Sequence, residues 1–180
     1  LTSCRPGYEL RTTAEAGSAD LQQCFKCQSL TSYILRPDVD SCQPCPPGLT
    51  CHGDATLDPV TTNSTWVKDG SVFKLESCPY GYSAVSINVE GVDASTQECA
   101  PCAKGEECTD PPCTVCTGCE AGFYKASVST EACIACPENT YGDESLEQTQ
   151  PGYCRACPAG SDTQSLTGRT RLSACQCSVG

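Results

Sequence analysis

Methionine is absent from this chain of 180 residues, tryptophan and histidine occur once each, and phenylalanine occurs three times. That leaves too little bulky apolar material for one large core. Long hydrophobic runs are missing as well. The longest, such as "SYIL" and "SVF", are far short of the roughly 20 apolar residues of a membrane-spanning helix, so no membrane insertion of this segment is expected. Cations are scarce, with 11 Lys and Arg against 22 Asp and Glu and a net charge of −11. Such a surface repels phosphate backbones, which removes nucleic acid from the expected partners. No Gly-x-Gly-x-x-Gly or Gly-Lys-Ser/Thr phosphate loop occurs, and no Gly-x-Ser-x-Gly elbow. His52 stands beside Cys51 with no nucleophile pattern to serve and reads as a surface-loop residue. The expectation is a non-enzymatic protein with no catalytic residues, no metal and no cofactor.

Cysteine is what the chain has in excess. Its 19 cysteines exceed the density that marks a disulfide scaffold, and crosslinks that stand in for a core belong to an oxidising compartment. An extracellular or cell-surface, secreted location follows. The chain opens at Leu1 with neither Met nor a signal peptide, which reads as a processed secreted chain or a piece of one.

The cysteines repeat in a fixed phrase. Cys-x-x-Gly begins at Cys4, Cys45, Cys78, Cys102, Cys119 and Cys157, and Cys136 carries the same phrase with Asn139 in the glycine slot. Asn is the non-glycine residue that best tolerates a positive φ, so the slot is expected to be a left-handed turn. Cys-x-x-Cys recurs at Cys24/Cys27, Cys42/Cys45, Cys99/Cys102, Cys133/Cys136 and Cys154/Cys157, with a denser "CTVCTGC" at Cys113, Cys116 and Cys119. One unit therefore runs from Cys-x-x-Gly through a loop to a Cys-x-x-Cys whose second cysteine opens the next unit.

This spacing suggests Cys4–Cys24, Cys27–Cys42, Cys45–Cys51, Cys78–Cys99, Cys119–Cys133, Cys136–Cys154 and Cys157–Cys175. Cys102, Cys108, Cys113 and Cys116 then pair among themselves in one of three ways. Cys177 is left unpaired within the chain. Cys177-Ser-Val-Gly180 spells the opening phrase of a unit, so Cys177 reads as the first residue of a repeat that continues past Gly180, or as a sulfur that pairs with another copy. Cys24, Cys27, Cys42 and Cys45 have nearly the spacing of a four-cysteine zinc site, but they share the grammar of the other cysteines and read as disulfides. A thioredoxin-like redox site needs a βαβ setting that the sequence does not offer.

Between Cys51 and Cys78 the grammar stops. "TWVKDGSVFKL" reads as two strands about an Asp69-Gly70 turn, and "YSAVSINVE" as a strand with Val85, Ile87 and Val89 on one side. Trp66, Val72, Phe73 and Val85 are expected to form a small core. "TTAEAGSADLQQC" has room for one short helical turn. The expected fold class is small and disulfide-rich, mostly irregular with short β-hairpins, built of elongated tandem cysteine-rich repeats with little helix. Expected domains are 1–51 (cysteine-rich repeats), 52–98 (the hairpin segment with the tryptophan) and 99–180 (tandem repeats, the last truncated). Asn63-Ser64-Thr65 is an N-glycosylation sequon in a polar loop, which makes an N-glycan an expected attachment. Glu106-Glu107 and Asp143-Glu144 do not follow a calcium-loop pattern and read as solvated surface.

Phrases such as "CIACPENTYGDES" and "CRACPAGSDTQSLTGRTRLSACQC" resemble the ephrin-receptor-like and growth-factor/tumour-necrosis-factor-receptor-like cysteine-rich repeats, most clearly over 99–180. The mixture is also similar to large repeat-bearing surface proteins of algae and other protists, mastigoneme-type filament proteins among them. The resemblance implies an elongated, disulfide-laddered extracellular fold. Such repeats serve filaments and receptors alike. The expected function is a glycosylated structural segment of a cell-surface or filament-forming assembly, whose partners are further copies or further repeats. The alternative is a receptor ectodomain that binds a protein ligand.

Overall fold

The computed structural model describes residues 3–13, 21–85, 94–143 and 146–178. Every sheet among them is a two-stranded antiparallel hairpin. The pairs are β1 (Tyr8–Thr13) with β2 (Leu21–Lys26), β3 (Ser32–Tyr33) with β4 (Gln43–Pro44), and β5 (Leu49–Cys51) with β6 (Leu57–Pro59). Next come β7 (Thr65–Asp69) with β8 (Val72–Ser77), β9 (Tyr82–Val85) with β10 (Glu98–Pro101), and β11 (Glu106–Glu107) with β12 (Thr117–Gly118). The last three are β13 (Phe123–Tyr124) with β14 (Ile134–Ala135), β15 (Thr140–Gly142) with β16 (Cys154–Ala156), and β17 (Ser161–Asp162) with β18 (Gln176–Cys177). Among the described residues helix is confined to three-residue 3-10 turns at Ala94–Thr96, Pro151–Tyr153 and Leu172–Ala174. The fold is thus a small, nearly helix-free tandem repeat of short hairpins held by nine disulfides. Thr12–Thr13 and Leu21–Cys24, where the sequence offered a helical turn, are strand, and residues 14–20 between them lie outside the described residues.

Two compact units are present: residues 1–79 with 84–99, and residues 80–83 with 100–180. The first has the one apolar cluster of appreciable size among the described residues. Tyr33, Leu49, Cys51 and Phe73 are buried together, with Leu35, Cys45, Leu57 and Trp66 packed against them. Phe73 and Trp66 join it, whereas Val72 and Val85 do not. Successive residues of a strand face opposite sides, and in β8 the buried side belongs to Phe73, Leu75 and Ser77. Val72, one residue off, faces away. The core is completed instead by Tyr33 and Leu49 from the cysteine-rich arm. Ile87 and Val89 lie outside the described residues.

The β7–β8 hairpin turns one residue later than its sequence suggested. Asp69 pairs with Val72, so the two loop residues are Gly70 and Ser71. A positive φ of 62° falls on Gly70, as a type II′ turn requires at its first loop position. A two-stranded sheet leaves alternate N–H groups on its outer edge without strand partners. In β8 these are supplied by side chains: Phe73 N–H donates to Tyr33 Oη at 2.8 Å and Leu75 N–H to the buried Gln97 Oε1 at 2.8 Å.

The glycine slot of the repeat is left-handed at Gly7, Gly81, Gly105, Gly122 and Gly160, and at Asn139 with φ 61°. Leu30, which stands in the same slot after Cys27, is also left-handed at φ 71°. Gly48 departs. It is outside the left-handed region, and a Cβ there would lie 2.6 Å from Trp66 Cζ2. Its loop closes after six residues at Cys51, and this glycine is required by the indole rather than by a left-handed turn. Gly81 combines both demands: φ is +78°, and a Cβ would collide with the Thr130 carbonyl. At Gly160 φ is +80° and the space is open. Gly160→Ala is expected to cost about 1 kcal/mol from backbone conformation alone. Gly81→Ala is expected to cost about 1–3 kcal/mol more from overpacking. Denaturant titration with the disulfides intact measures both; equal losses would show that the close approach at Gly81 has no energetic weight.

Candidate functional site

The chemistry of this chain is concentrated in how each cysteine loop closes. The bridges are Cys4–Cys24, Cys27–Cys42, Cys45–Cys51, Cys78–Cys99, Cys102–Cys116, Cys108–Cys113, Cys119–Cys133, Cys136–Cys154 and Cys157–Cys175. Of the three connectivities open to the 102–116 cluster, the structure has Cys102–Cys116 with Cys108–Cys113 nested inside it. Cys24, Cys27, Cys42 and Cys45 are distributed over three separate disulfides.

A hydrogen bond accompanies each hand-over. In the first unit Cys27 N–H donates to the Gly7 carbonyl at 2.9 Å and Cys45 N–H to Thr31 at 3.0 Å, one residue beyond the left-handed Leu30. In the second unit Cys102 donates to Gly81 at 2.9 Å, Cys119 to Gly105 at 2.8 Å, Cys136 to Gly122 at 2.8 Å and Cys157 to Asn139 at 2.9 Å. The last bond of the series, onto Gly160 at 3.0 Å, comes from Ser178. Ser178, and not Cys177, therefore occupies the position at which the loops of Gly7, Gly81, Gly105, Gly122 and Asn139 hand over to a cysteine. Cys177 sits one residue earlier, opposite Ser161 in the hairpin, free and exposed. Hand-over cysteines such as Cys27, Cys102 and Cys136 are buried. The one-residue offset turns the Cys177 sulfur to the other face of its strand, which differs from the sequence reading of Cys177 as the opening residue of a further unit.

Polar side chains complete the loops. Glu9 and Glu107 each stand five residues after an opening cysteine, and their Oε2 atoms accept the N–H of Cys42 at 2.7 Å and Cys133 at 2.8 Å. Asp143 is paired with Arg155 at 2.5 Å and is only 14 % exposed. Glu107 and Asp143 are thus structural partners rather than solvated surface; Glu144 lies outside the described residues. Asn139 does more than tolerate its φ, since its Oδ1 accepts the Thr163 N–H while the buried Thr163 hydroxyl accepts the Asn139 N–H at 2.8 Å. No periodicity in the sequence signals these partners, because each joins different loops.

Lys125 is buried, and its ammonium donates to the carbonyls of Ser129 at 2.7 Å, Glu106 at 3.0 Å and Cys102 at 3.4 Å. Burial lowers its pKa below the ordinary lysine value, opposed by the nearby Glu107, Glu106 and Glu131. Asp162 is held below the usual carboxylate range by the Ser178 hydroxyl at 2.7 Å, helped by the Gln164 N–H at 2.9 Å. His52 is exposed and lies 2.9 Å from Asp58 Oδ2, a surface pair. Asn63 is exposed at the turn between β6 and β7, at φ 66°, with Thr65 of the sequon also exposed. The Ser64 hydroxyl between them donates to the Thr61 carbonyl at 2.8 Å and accepts the Trp66 Nε1–H at 3.1 Å. The sequon is therefore anchored at its middle residue and open at both ends.

With this geometry described, comparison with known proteins adds one finding. A family model described as tyrosine-protein kinase ephrin type A/B receptor-like matches residues 112–146. That stretch contains the whole Cys119–Cys133 loop and the start of the next, a minority of the chain, and the family is a receptor-like cysteine-rich module rather than a catalytic one. A search of curated proteins gives no match. The disulfides and the receptor-like module together point to an extracellular module.

Two measurements test these roles. Lys125→Met leaves three carbonyls without their donor and is expected to destabilise the disulfide-intact protein by about 1–3 kcal/mol, read by chemical denaturation. A carboxyl with a lowered folded pKa favours the folded state above the ordinary carboxylate range, and that contribution is lost as pH falls through its own midpoint. Ser178→Ala is expected to move the Asp162 midpoint upward in an NMR titration and Ser178→Thr to leave it in place; an unmoved midpoint in the alanine variant would remove the hydroxyl as the cause.

Proposed function

We propose that this chain is a non-enzymatic extracellular structural protein, a glycosylated, disulfide-rich repeat segment of a cell-surface or filament-forming assembly of the mastigoneme kind. The observation that carries this reading is the repetition of one closure through the second unit. A disulfide, a left-handed residue and a hand-over hydrogen bond recur at successive loops from Gly81 to Ser178. Closed loops of this kind give rigidity and resist proteases without a large core. Repeated surfaces are suited to packing against further copies. The exposed sequon at Asn63 supports an N-glycan on the outer surface of the first unit.

A second reading, a receptor ectodomain that captures a protein ligand, is favoured by the receptor-like description of the family matching residues 112–146. The test that separates them is assembly. Protein secreted from a eukaryotic host is expected to form ordered higher-order particles in negative stain and sedimentation as its concentration rises. Dispersed monomers at high concentration would sink the structural reading and leave the receptor reading. In the same material Asn63→Gln and Thr65→Ala are each expected to lower the intact mass by one glycan; an unchanged mass would show the sequon unoccupied.

A further inference from the structure

Besides the hand-over, a second hydrogen bond locks loop to loop. The slot residue, three after an opening cysteine, donates its own N–H to the residue six after the opening cysteine of the following loop. Leu30 donates to the Cys51 carbonyl at 2.8 Å, Gly81 to that of Cys108 at 2.9 Å, Gly105 to that of Lys125 at 2.9 Å, and Asn139 to the Thr163 hydroxyl at 2.8 Å. In the loop opened by Cys136 the sixth position is Gly142. There the Tyr153 hydroxyl fills the space of the missing side chain and accepts the Gly122 N–H at 3.1 Å. Gly7 and Gly48 are arranged otherwise, against Gly53 and Gln97. Later residues also close over the slots: Thr130 over Gly81, Thr149 over Gly105 and Gly168 over Gly122.

Gly160 begins the same arrangement and does not complete it. Its φ is +80° and its carbonyl accepts the Ser178 N–H, as in the other loops. Yet Gly160 is exposed, its N–H has no partner among the described residues, and a Cβ there would meet nothing within 4 Å. Exposed Pro158 and Ala159 precede it, and Leu166 of the same loop is 47 % exposed. For Gly81, Gly105 and Asn139 the hand-over residue is the cysteine that opens the covering loop. Here that residue is Ser178, so no cysteine at the hand-over position opens a loop to cover Gly160. The slot is one half of a contact that the second unit makes repeatedly with itself.

Charge indicates the other half. Residues 4–27 carry Arg5, Arg11 and Lys26 against Glu9, Glu15 and Asp20, and residues 157–178 carry Arg169 and Arg171 against Asp162. Neither stretch is acidic, so the excess behind the net charge of −11 lies entirely between them. Two copies that meet by these stretches avoid the repulsion met by contacts between the intervening parts. In the loop opened by Cys4 the sixth position is Leu10, a half-buried residue of β1 that receives no slot N–H among the described residues. Cys51, which does receive one, is likewise a strand residue. We propose that the Gly160 slot of one copy receives the Leu10 position of a second copy, N–H to carbonyl, with Pro158, Ala159 and Leu166 packed on the β1–β2 hairpin. The contact joins unlike surfaces, so each copy keeps one of each free and addition can repeat. This rests on the assembly reading above and names its joint.

The test uses the disulfide-intact full chain and sedimentation over a range of concentrations. Gly160→Asp tolerates the positive φ but sets a carboxylate against the incoming carbonyl, and is expected to raise the concentration needed for assembly about tenfold. Gly160→Asn places in the slot the residue that Asn139 already supplies. Gly152→Asp adds the same charge at another exposed glycine with open space around it. Both are expected to assemble as the unaltered protein does, and non-reducing mass analysis checks the bridges of each variant. Independently, p-benzoylphenylalanine in place of Ala159, in a mixture of isotopically light and heavy copies, is expected to crosslink to residues 8–12 of another copy. Crosslinks to a different part of the second copy, or assembly of Gly160→Asp at the unaltered concentration, would overturn this contact and leave assembly itself standing. Unaltered protein that stays dispersed at every concentration would overturn both.

Discussion

The loops opened by Cys4, Cys78, Cys102, Cys119, Cys136 and Cys157 are each closed twice, by a disulfide and by the hydrogen bond that runs from the hand-over residue to the left-handed residue of that loop. The covalent link fixes which two points of the chain meet. The hydrogen bond, 2.8–3.0 Å at Gly81, Gly105, Gly122, Asn139 and Gly160, fixes the rotation of the strand that carries the next cysteine. At these five positions the carbonyl that accepts the bond belongs to a left-handed residue, a conformation that an L side chain normally resists. Once both are in place, the positions that receive Lys125, Glu107 and Thr163 follow from the frame.

Most of the frame was legible because the exception proved instructive. Asn139 in a glycine slot identifies the slot as one of conformation, and the structure has it left-handed. Leu30 hid the same slot, since leucine carries no sign of a positive φ, and Gly48 mimicked it for an unrelated reason. A glycine is demanded either by a dihedral or by a crowding neighbour, and a sequence cannot say which. The 102–116 cluster was ambiguous because "CTVCTGC" presents two overlapping Cys-x-x-Cys steps. The Gly105 carbonyl resolves it by accepting the N–H of Cys119, which makes Cys116 the closing cysteine of that loop.

Side-chain partners were illegible for a different reason. Short two-stranded sheets leave much backbone without strand neighbours, and the deficit is met by groups far away in sequence. Tyr33 serves Phe73, Gln97 serves Leu75, Glu9 serves Cys42 and Glu107 serves Cys133. Each donor–acceptor match depends on loops being stacked in a particular order, which neither composition nor periodicity encodes. The same stacking drew Trp66 and Phe73 into a core with Tyr33 and Leu49 instead of with their own neighbours Val72 and Val85.

The bridges are strictly local, with one nested inside another and none crossing between loops, and this determines how the chain responds to being pulled. Tension applied at the ends passes through each disulfide and leaves the residues inside the loop slack, so most of the chain contributes no length. Residues 52–77 lie outside every disulfide loop and hold β6 and the β7–β8 hairpin, secured by non-covalent contacts such as the Tyr33–Phe73 pair at 5.0 Å, the packing of Leu57 and Trp66 on the core and hydrogen bonds. This is the longest stretch that can lengthen without breaking a covalent bond. The cysteine-free interval is the extensible element between loops that their own disulfides keep from lengthening.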